Sequence, residues 1–211
     1  MFRRIIFTCF VCGLAGAAGA QDNAMSFFIT STSPGNGADL GGLDGADAHC
    51  AALAEAAGSS GKTWVAYLST QEEGKRGISA RDRIGQGPWH NAKGEMIASN
   101  LDELHISPKI YKSTALDENG NLVNGRGDRP NVHDILTGTQ EDGTAYFPWV
   151  KEDRTCANWT SSGEGSATVG HHDRHGGGNT SWNAAHNSRG CSAENLASTG
   201  GGGLFYCFAV E

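Results

Sequence analysis

Four cysteines constrain the fold of this chain more than any other feature of its sequence. Six cysteines are present, and two of them lie in the N-terminal leader described below. The other four are Cys50, Cys156, Cys191 and Cys207. No two of these four form a C-x-x-C pair, which argues against a thioredoxin-like redox site or a zinc ribbon. An even number of cysteines in an exported protein indicates two disulfides, and four cysteines allow three connectivities.

The N-terminus has the layout of a secretory signal peptide. Arg3 and Arg4 provide a positive start, residues 5–18 are apolar or small, and the Ala-Gly-Ala run ending at Ala20 matches the A-x-A cleavage pattern. This apolar run is shorter than the roughly 20 residues of a transmembrane helix, and no later segment is hydrophobic enough to span a bilayer. We therefore expect a signal peptide over residues 1–20, cleavage near Ala20, and one secreted or periplasmic domain over residues 21–211.

The composition argues against nucleic acid as a partner and predicts a loop-rich domain. The formal net charge is −7, and it becomes −9 once Arg3 and Arg4 leave with the signal peptide, with 14 basic against 23 acidic side chains. An acidic surface repels phosphate backbones. Glycine accounts for 31 of 211 residues without a collagen-like period, which indicates many turns and ordered loops.

The apolar pattern predicts short strands around one well-defined helix. Apolar residues recur at three- and four-residue steps over 43–57, and Cys50 lies on this stripe. A shorter helix is expected at 100–105. Trp149 and Trp159 are expected in the core. Strands are expected at 26–31, 64–68, 147–150, 155–161, 167–169 and 204–210, with long loops at 124–143 and 170–190.

The positions of the cysteines favour a nested pairing. Cys50 lies on the first helix and Cys207 in the last strand, whereas Cys156 and Cys191 bracket the 170–190 loop. The simplest pairing therefore joins Cys50 to Cys207 and Cys156 to Cys191, so that the outer bridge ties the chain ends together. The other two connectivities remain open at this point.

Three segments carry a resemblance to a known fold. They are Leu-Gly-Gly-Leu-Asp-Gly-Ala-Asp at 40–47, Thr-Cys-Ala-Asn-Trp-Thr-Ser-Ser at 155–162, and Leu-Phe-Tyr-Cys-Phe at 204–208. In these segments the chain resembles the C-type lectin-like fold, including its endostatin branch, and more specifically a bacterial secreted family of unknown function labelled "lectin". The resemblance covers residues 27–211. It implies an α+β single domain with short antiparallel strands, one or two helices, long loops and two disulfides.

The resemblance implies glycan or protein ligands, but the chain departs from the calcium-dependent sugar-binding members. Those members hold calcium with Glu-Pro-Asn or Gln-Pro-Asp and a later Trp-Asn-Asp, whereas this chain has only a partial match, Ser-Trp-Asn-Ala at 181–184. Asp117, Asn119 and Asn121 alternate as at the start of a calcium loop, although a hairpin turn explains the same residues. Calcium and zinc are both retained as candidate cofactors.

A Gly-rich loop concentrates residues that could bind a metal. The predicted metal ligands are His171, Asp173, His175 and His186. Zinc takes three or four nitrogen, oxygen or sulfur ligands, so this set fits a zinc site. The alternative is a surface loop in which these side chains hydrogen-bond the backbone and hold irregular structure.

A second loop, before the 147–150 segment, carries charged and turn-forming residues that could face the first. From both loops we predict a ligand-binding surface that comprises Asp128, His133, Asp134, Trp182 and Asn183. Trp182 is expected to be exposed, so that its ring could stack on a sugar. In the alternative, Asp128 pairs with a neighbouring arginine and Asp134 caps the segment that follows it.

Together these features predict a secreted binding module that recognises a glycan or an extracellular protein. The chain has no Gly-x-Ser-x-Gly elbow and no His-Glu-x-x-His motif, and its mature cysteines are assigned to disulfides, so an enzyme is not expected. Two alternatives remain. One is a zinc-dependent hydrolase built on the His-rich loop, and the other is a structural envelope protein without a small-molecule site.

Overall fold

The computed structural model describes residues 24–210, in which short strands and helices alternate. The predicted signal peptide, with its cleavage site near Ala20, lies outside the described residues. The strands are β1 (Phe27–Ile29), β2 (Thr63–Ala66), β3 (Trp89–His90), β4 (Met96–Ala98), β5 (Asp134–Leu136), β6 (Thr168–His171), β7 (His186–Asn187) and β8 (Gly201–Val210). The helical segments are α1 (Gly42–Ala56), α2 (Ala80–Arg83), α3 (Leu101–Ile106), α4 (Cys156–Trp159) and α5 (Ala193–Thr199).

The last strand, β8, is the centre of the main sheet. Strands β1 and β2 pair with it antiparallel, β5 pairs with it parallel, and β6 and β7 continue the sheet beyond β5. Phe205 and Cys207 belong to one apolar cluster, whereas Tyr206 and Phe208 belong to a second. Because alternate residues face opposite sides of the sheet and both sides are covered, β8 is apolar without interruption.

Helix α1 covers one side of this sheet and is covalently bonded to it. Its buried positions repeat every four residues and include Cys50. Cys50 forms a disulfide with Cys207 of β8, with the two Cα atoms 5.6 Å apart. The second disulfide joins Cys156 to Cys191. The two bridges therefore follow the nested pairing.

Two predicted strands are turns. The segment 147–150 forms a turn, and Trp149 is 70 % exposed instead of lying in the core. The segment 155–161 contains α4, in which all four residues have positive φ angles between 49° and 68°. This left-handed turn is a conformation that residues other than glycine rarely adopt. The fully buried Trp159 and the disulfide at Cys156 hold it, and apolar content alone does not distinguish such a turn from a strand.

The fold is mixed α+β, as predicted, but it contains more helical segments than expected. Five helical segments replace the one or two predicted, and α5 had no counterpart in the prediction. The pairing of β5 with β8 is parallel, so the sheet is not wholly antiparallel. Among residues 24–210 no helix is long and apolar enough to cross a membrane.

Candidate metal centre

The sheet register brings polar side chains from three strands onto one side of the sheet. Asp134 of β5 lies directly opposite His171 of β6. His186 of β7 lies opposite Val169, two residues before His171. Residues that are paired across strands, or two apart on one strand, project from the same side. The register therefore brings Asp134, His171 and His186 together, although they are distant in sequence.

Four side chains form the candidate metal centre: His133, Asp134, His171 and His186. Oδ1 of Asp134 lies 3.1 Å, 3.3 Å and 3.4 Å from the Nε2 atoms of His133, His171 and His186, respectively. The potential ligand atoms of the first three residues all lie within 4.8 Å of one another. These three are buried, whereas the His186 side chain is 37 % exposed. The centre therefore opens to solvent at His186.

The contacts around Asp134 are close but lack the geometry of hydrogen bonds. Neither carboxylate oxygen of Asp134 has a hydrogen-bond partner among the described residues, so Asp134 does not cap the segment that follows it. Both ring nitrogens of His171 also lack partners there. A buried carboxylate without compensation costs several kcal/mol. Oxygen and nitrogen atoms that lie close together without forming hydrogen bonds are expected around a shared metal ion, because the lone pair of each metal ligand points at the ion.

The second ring nitrogens of two histidines show where the protons lie. Nδ1 of His133 lies 3.3 Å from Oδ1 of Asp173, and Nδ1 of His186 lies 3.0 Å from the carbonyl oxygen of Asn187. Because these oxygens only accept hydrogen bonds, each Nδ1 is the donor, and the Nε2 of each ring faces Asp134 with either a lone pair or a second proton. Lone pairs beside the Asp134 carboxylate repel it unless a proton or a metal cation lies between them.

The neighbouring loop holds Asp173 in place. Its Oδ2 accepts a hydrogen bond from the backbone N–H of Arg126 at 2.6 Å, and its Oδ1 accepts one from the backbone N–H of His175 at 3.0 Å. A Cβ atom at Gly125 would lie 2.6 Å from Oδ2 of Asp173, so a larger residue there would displace the carboxylate. Asp173 therefore positions the His133 ring as an outer hydrogen-bond partner and is not itself one of the four residues of the centre.

The charges around Asp134 keep it ionised. Burial raises the pKa of Asp134, but the close imidazoles of His171 and His186, together with the charge of His133, outweigh burial and hold that pKa at about 2. Contact with Asp134 raises the pKa of His186 despite the partial burial of the ring. A metal ion that binds Nε2 of His186 must displace any proton held there.

The donor set fits zinc better than calcium. Imidazole nitrogens and a single carboxylate oxygen are typical zinc ligands, whereas calcium takes about 6–8 oxygens. Ligand atoms about 2.0–2.1 Å from a tetrahedral zinc ion lie about 3.3 Å from one another. The three distances from Oδ1 of Asp134 to the imidazole nitrogens, 3.1–3.4 Å, match that value, and mutual proximity of the ligand atoms holds for His133, Asp134 and His171. The candidate calcium residue Asp117 instead accepts hydrogen bonds from the backbone N–H groups of Asn119 and Asn121 in a hairpin turn.

The predicted metal ligands divide into two pairs. His171 and His186 lie in the centre. Asp173 contacts the outer nitrogen of His133, and His175 is exposed and reaches Asp173 through its backbone. His133 and Asp134 were predicted to bind ligand and are here placed beside His171. The sequence signal for them is a His-Asp pair at the start of a strand, which becomes informative only once the partner strand is known.

The other predicted ligand-binding residues lie outside the centre. Trp182 is 2 % exposed and packs against Tyr67, so the expectation of an exposed ring is wrong. Asn183 is also buried, and its amide donates a hydrogen bond to the Tyr67 hydroxyl. Asp128 pairs with Lys112 and not with a neighbouring arginine. Polar sequence neighbours suggested exposure of Trp182, but the loop turns this large ring inward to fill the core.

No protein-family model matches this chain, and no curated protein matches it either. Its function is therefore inferred from the geometry of the metal centre.

Proposed function

We propose that this chain is a secreted binding module of C-type lectin-like fold that holds one zinc ion in the metal centre. The observation that carries the proposal is the convergence of three imidazole Nε2 atoms on one buried carboxylate oxygen that has no hydrogen-bond partner among residues 24–210. Asp173 and the carbonyl of Asn187 support two of these imidazoles, as outer partners of zinc ligands do.

The zinc ion would connect β5, β6 and β7 at the base of the two long loops. Ligands on separate strands contribute metal-binding free energy to folding, because the unfolded chain does not hold them together. Ordered in this way, the loops at 124–143 and 170–190 form the surface that meets a glycan or an extracellular protein, the ligands that the lectin-like resemblance implies.

Metal titration of the mature domain tests the proposal. The domain is purified without a polyhistidine tag, stripped with a chelator, and titrated with Zn²⁺ and with Ca²⁺ by calorimetry. We expect one zinc ion per chain and no calcium at this centre. His186→Ala, at the solvent-exposed edge, should weaken zinc binding by about 100-fold or more, since losing an outer partner alone costs about 10–100-fold.

His175→Ala is the matched control. His175 lies on the same loop, is exposed, and stands outside the centre, so its replacement should leave zinc affinity unchanged. Circular dichroism checks that both variants are folded. Absence of zinc binding by the native domain would refute the proposal, as would loss of zinc in His175→Ala combined with its retention in His186→Ala.

A further inference from the structure

The most exposed tryptophan of the chain ends a three-layer stack. The rings of Phe147 and Trp149 are nearly parallel, with centroids 4.4 Å apart and an interplanar angle of 8°. The guanidinium carbon of Arg76 lies 3.9 Å from the centroid of Phe147. Because Trp149 covers one side of the Phe147 ring, Arg76 covers the other. We call Arg76, Phe147 and Trp149 the aromatic platform.

The outer side of Trp149 is open. Trp149 is 70 % exposed and Phe147 is 38 % exposed. Across the part of the chain that the structure describes, no second ring or cation stacks on Trp149. Single exposed apolar side chains are ordinary. A tryptophan stacked flat on Phe147, whose ring Arg76 also contacts, is different, because it offers a rigid apolar surface at little cost in side-chain entropy.

A cleft of about 310 Å³ meets the platform at Phe147, and the sequence neighbours of Trp149, Pro148 and Val150, line it as well. Its lining includes Phe147, Gln71 and part of the left-handed turn α4, notably Asn158. Oδ1 of Asn158 accepts a hydrogen bond from the backbone N–H of Gln71 at 2.7 Å, and Nδ2 of Asn158 donates one to the Gln71 carbonyl at 3.0 Å. These contacts order the wall of the cleft before any ligand arrives, which lowers the entropy cost of binding.

The charges in the cleft largely offset one another. Its carboxylates are Glu72, Glu73, Glu152 and Asp153. Lys75 lies 2.7 Å from Glu72, and Arg154 lies 3.9 Å from Glu152. Asp153 accepts two hydrogen bonds from backbone N–H groups around α4. Lys151 also lines the cleft, so that with Lys75 and Arg154 three cationic side chains stand against the four carboxylates. The cleft is therefore polar but close to neutral, which disfavours a strongly cationic ligand.

We propose that the aromatic platform and its cleft bind a neutral hexose oligosaccharide. One sugar ring stacks its C–H side on the outer side of Trp149, and the hydroxyl groups of the next sugar form hydrogen bonds with Glu73 and Lys151. None of the four metal-centre residues lines this cleft. Sugar binding here is therefore independent of the proposed zinc ion.

Titration of the mature domain with cellohexaose, maltohexaose and mannohexaose tests the inference, with calorimetry and tryptophan fluorescence as readouts. We expect saturable binding of at least one of these sugars. Trp149→Ala should weaken it by about tenfold or more, because a buried tryptophan contact at an interface is commonly dominant. Trp149→Phe should retain part of the affinity. Tyr111→Ala is the matched control, since Tyr111 is 50 % exposed and belongs neither to the aromatic platform nor to the lining of the cleft.

Several results of these titrations would overturn the inference. Failure of all three sugars to bind refutes it, and so does binding that Trp149→Ala leaves unchanged. Binding of a hexalysine peptide that depends on Trp149, in place of sugar binding, would assign the cleft to cationic ligands. The titrations are repeated in chelator, where sugar binding should persist even though zinc is removed. Loss of sugar binding there would refute the independence of the two sites.

Discussion

At Asp134 a carboxylate with 1 % side-chain exposure lies beside three imidazoles. Such a group is tolerated in the interior only when a proton or a metal ion compensates its charge. His186, whose pKa is raised by Asp134, can supply the proton. Protons and zinc therefore compete for the same nitrogen atoms, so the affinity for zinc falls as the pH falls.

Replacing Asp173 by asparagine tests the role of this residue in orienting His133. Asparagine keeps one of the two oxygens that accept backbone hydrogen bonds and removes the negative charge beside Nδ1 of His133. We expect the zinc affinity, measured by competition with a chelating dye, to fall about 10–100-fold at unchanged stoichiometry. Asp128→Asn, which affects the pair with Lys112, should leave the affinity unchanged. Equal zinc affinities of Asp173→Asn and the native domain would exclude an orienting role for Asp173.

Among the elements, α3 shows how a short local sequence determines where a helix begins. The side chain of Asn100 accepts a hydrogen bond from the backbone N–H of Glu103 at 2.9 Å. Oε2 of Glu103 accepts one from the backbone N–H of Ser99 at 2.8 Å. This reciprocal arrangement resembles a capping box and satisfies N–H groups at the start of the helix. The hydrogen bonds from Ser99 lower the pKa of Glu103.

Glu103→Gln should therefore have a pH-dependent effect on stability. A carboxyl group whose pKa is lowered by folding contributes stability above its unfolded-state value, near 4.5, and loses that contribution as the pH falls through the folded-state pKa. We expect the variant to melt at a lower temperature than the native domain at neutral pH, and the difference to vanish in strong acid. Glu55→Gln, on the exposed side of α1, is the control. A difference independent of pH would contradict this account.

For the whole molecule, the two disulfides differ mainly in the length of chain that they enclose. The bridge from Cys50 to Cys207 spans 157 residues and connects α1 to the central strand. The bridge from Cys156 to Cys191 spans 35 residues and holds α4 near the His-rich loop. A bridge that closes a longer loop removes more conformational entropy from the unfolded chain.

Pairwise replacement of the cysteines by alanine measures this difference. From the loop lengths, loss of the outer bridge should lower the free energy of unfolding by about 5 kcal/mol and loss of the inner bridge by about 4 kcal/mol. Guanidinium titration of the two double variants, compared with the oxidised native domain, gives both values. A clearly larger loss for the inner bridge would show that support of the left-handed turn outweighs loop entropy.

Most of the elements with a strong local pattern could be predicted from the sequence. The stripe through Cys50 predicted α1, and the apolar run near the C-terminus predicted β8. The turn at 147–150 and the left-handed turn α4 were predicted as strands, because a short apolar run has no period that distinguishes these states. The burial of two tryptophans was also predicted wrongly: Trp149 was expected in the core and Trp182 on the surface. Burial depends on what packs against a residue and not on its sequence neighbours.

By itself, the sequence determined the even set of cysteines, the apolar stripe of α1, the apolar central strand, and a chain rich in histidine and aspartate around its long loops. Only the tertiary structure decided which of these histidines approach one aspartate. His171 and His186 were candidates from the beginning, but their meeting at Asp134 follows from the register of β5, β6 and β7, and His133 joins them from the residue before β5. Metal binding needs ligand atoms within a few ångströms of one point. Strand pairing between residues distant in sequence creates that point, and local sequence patterns do not encode it.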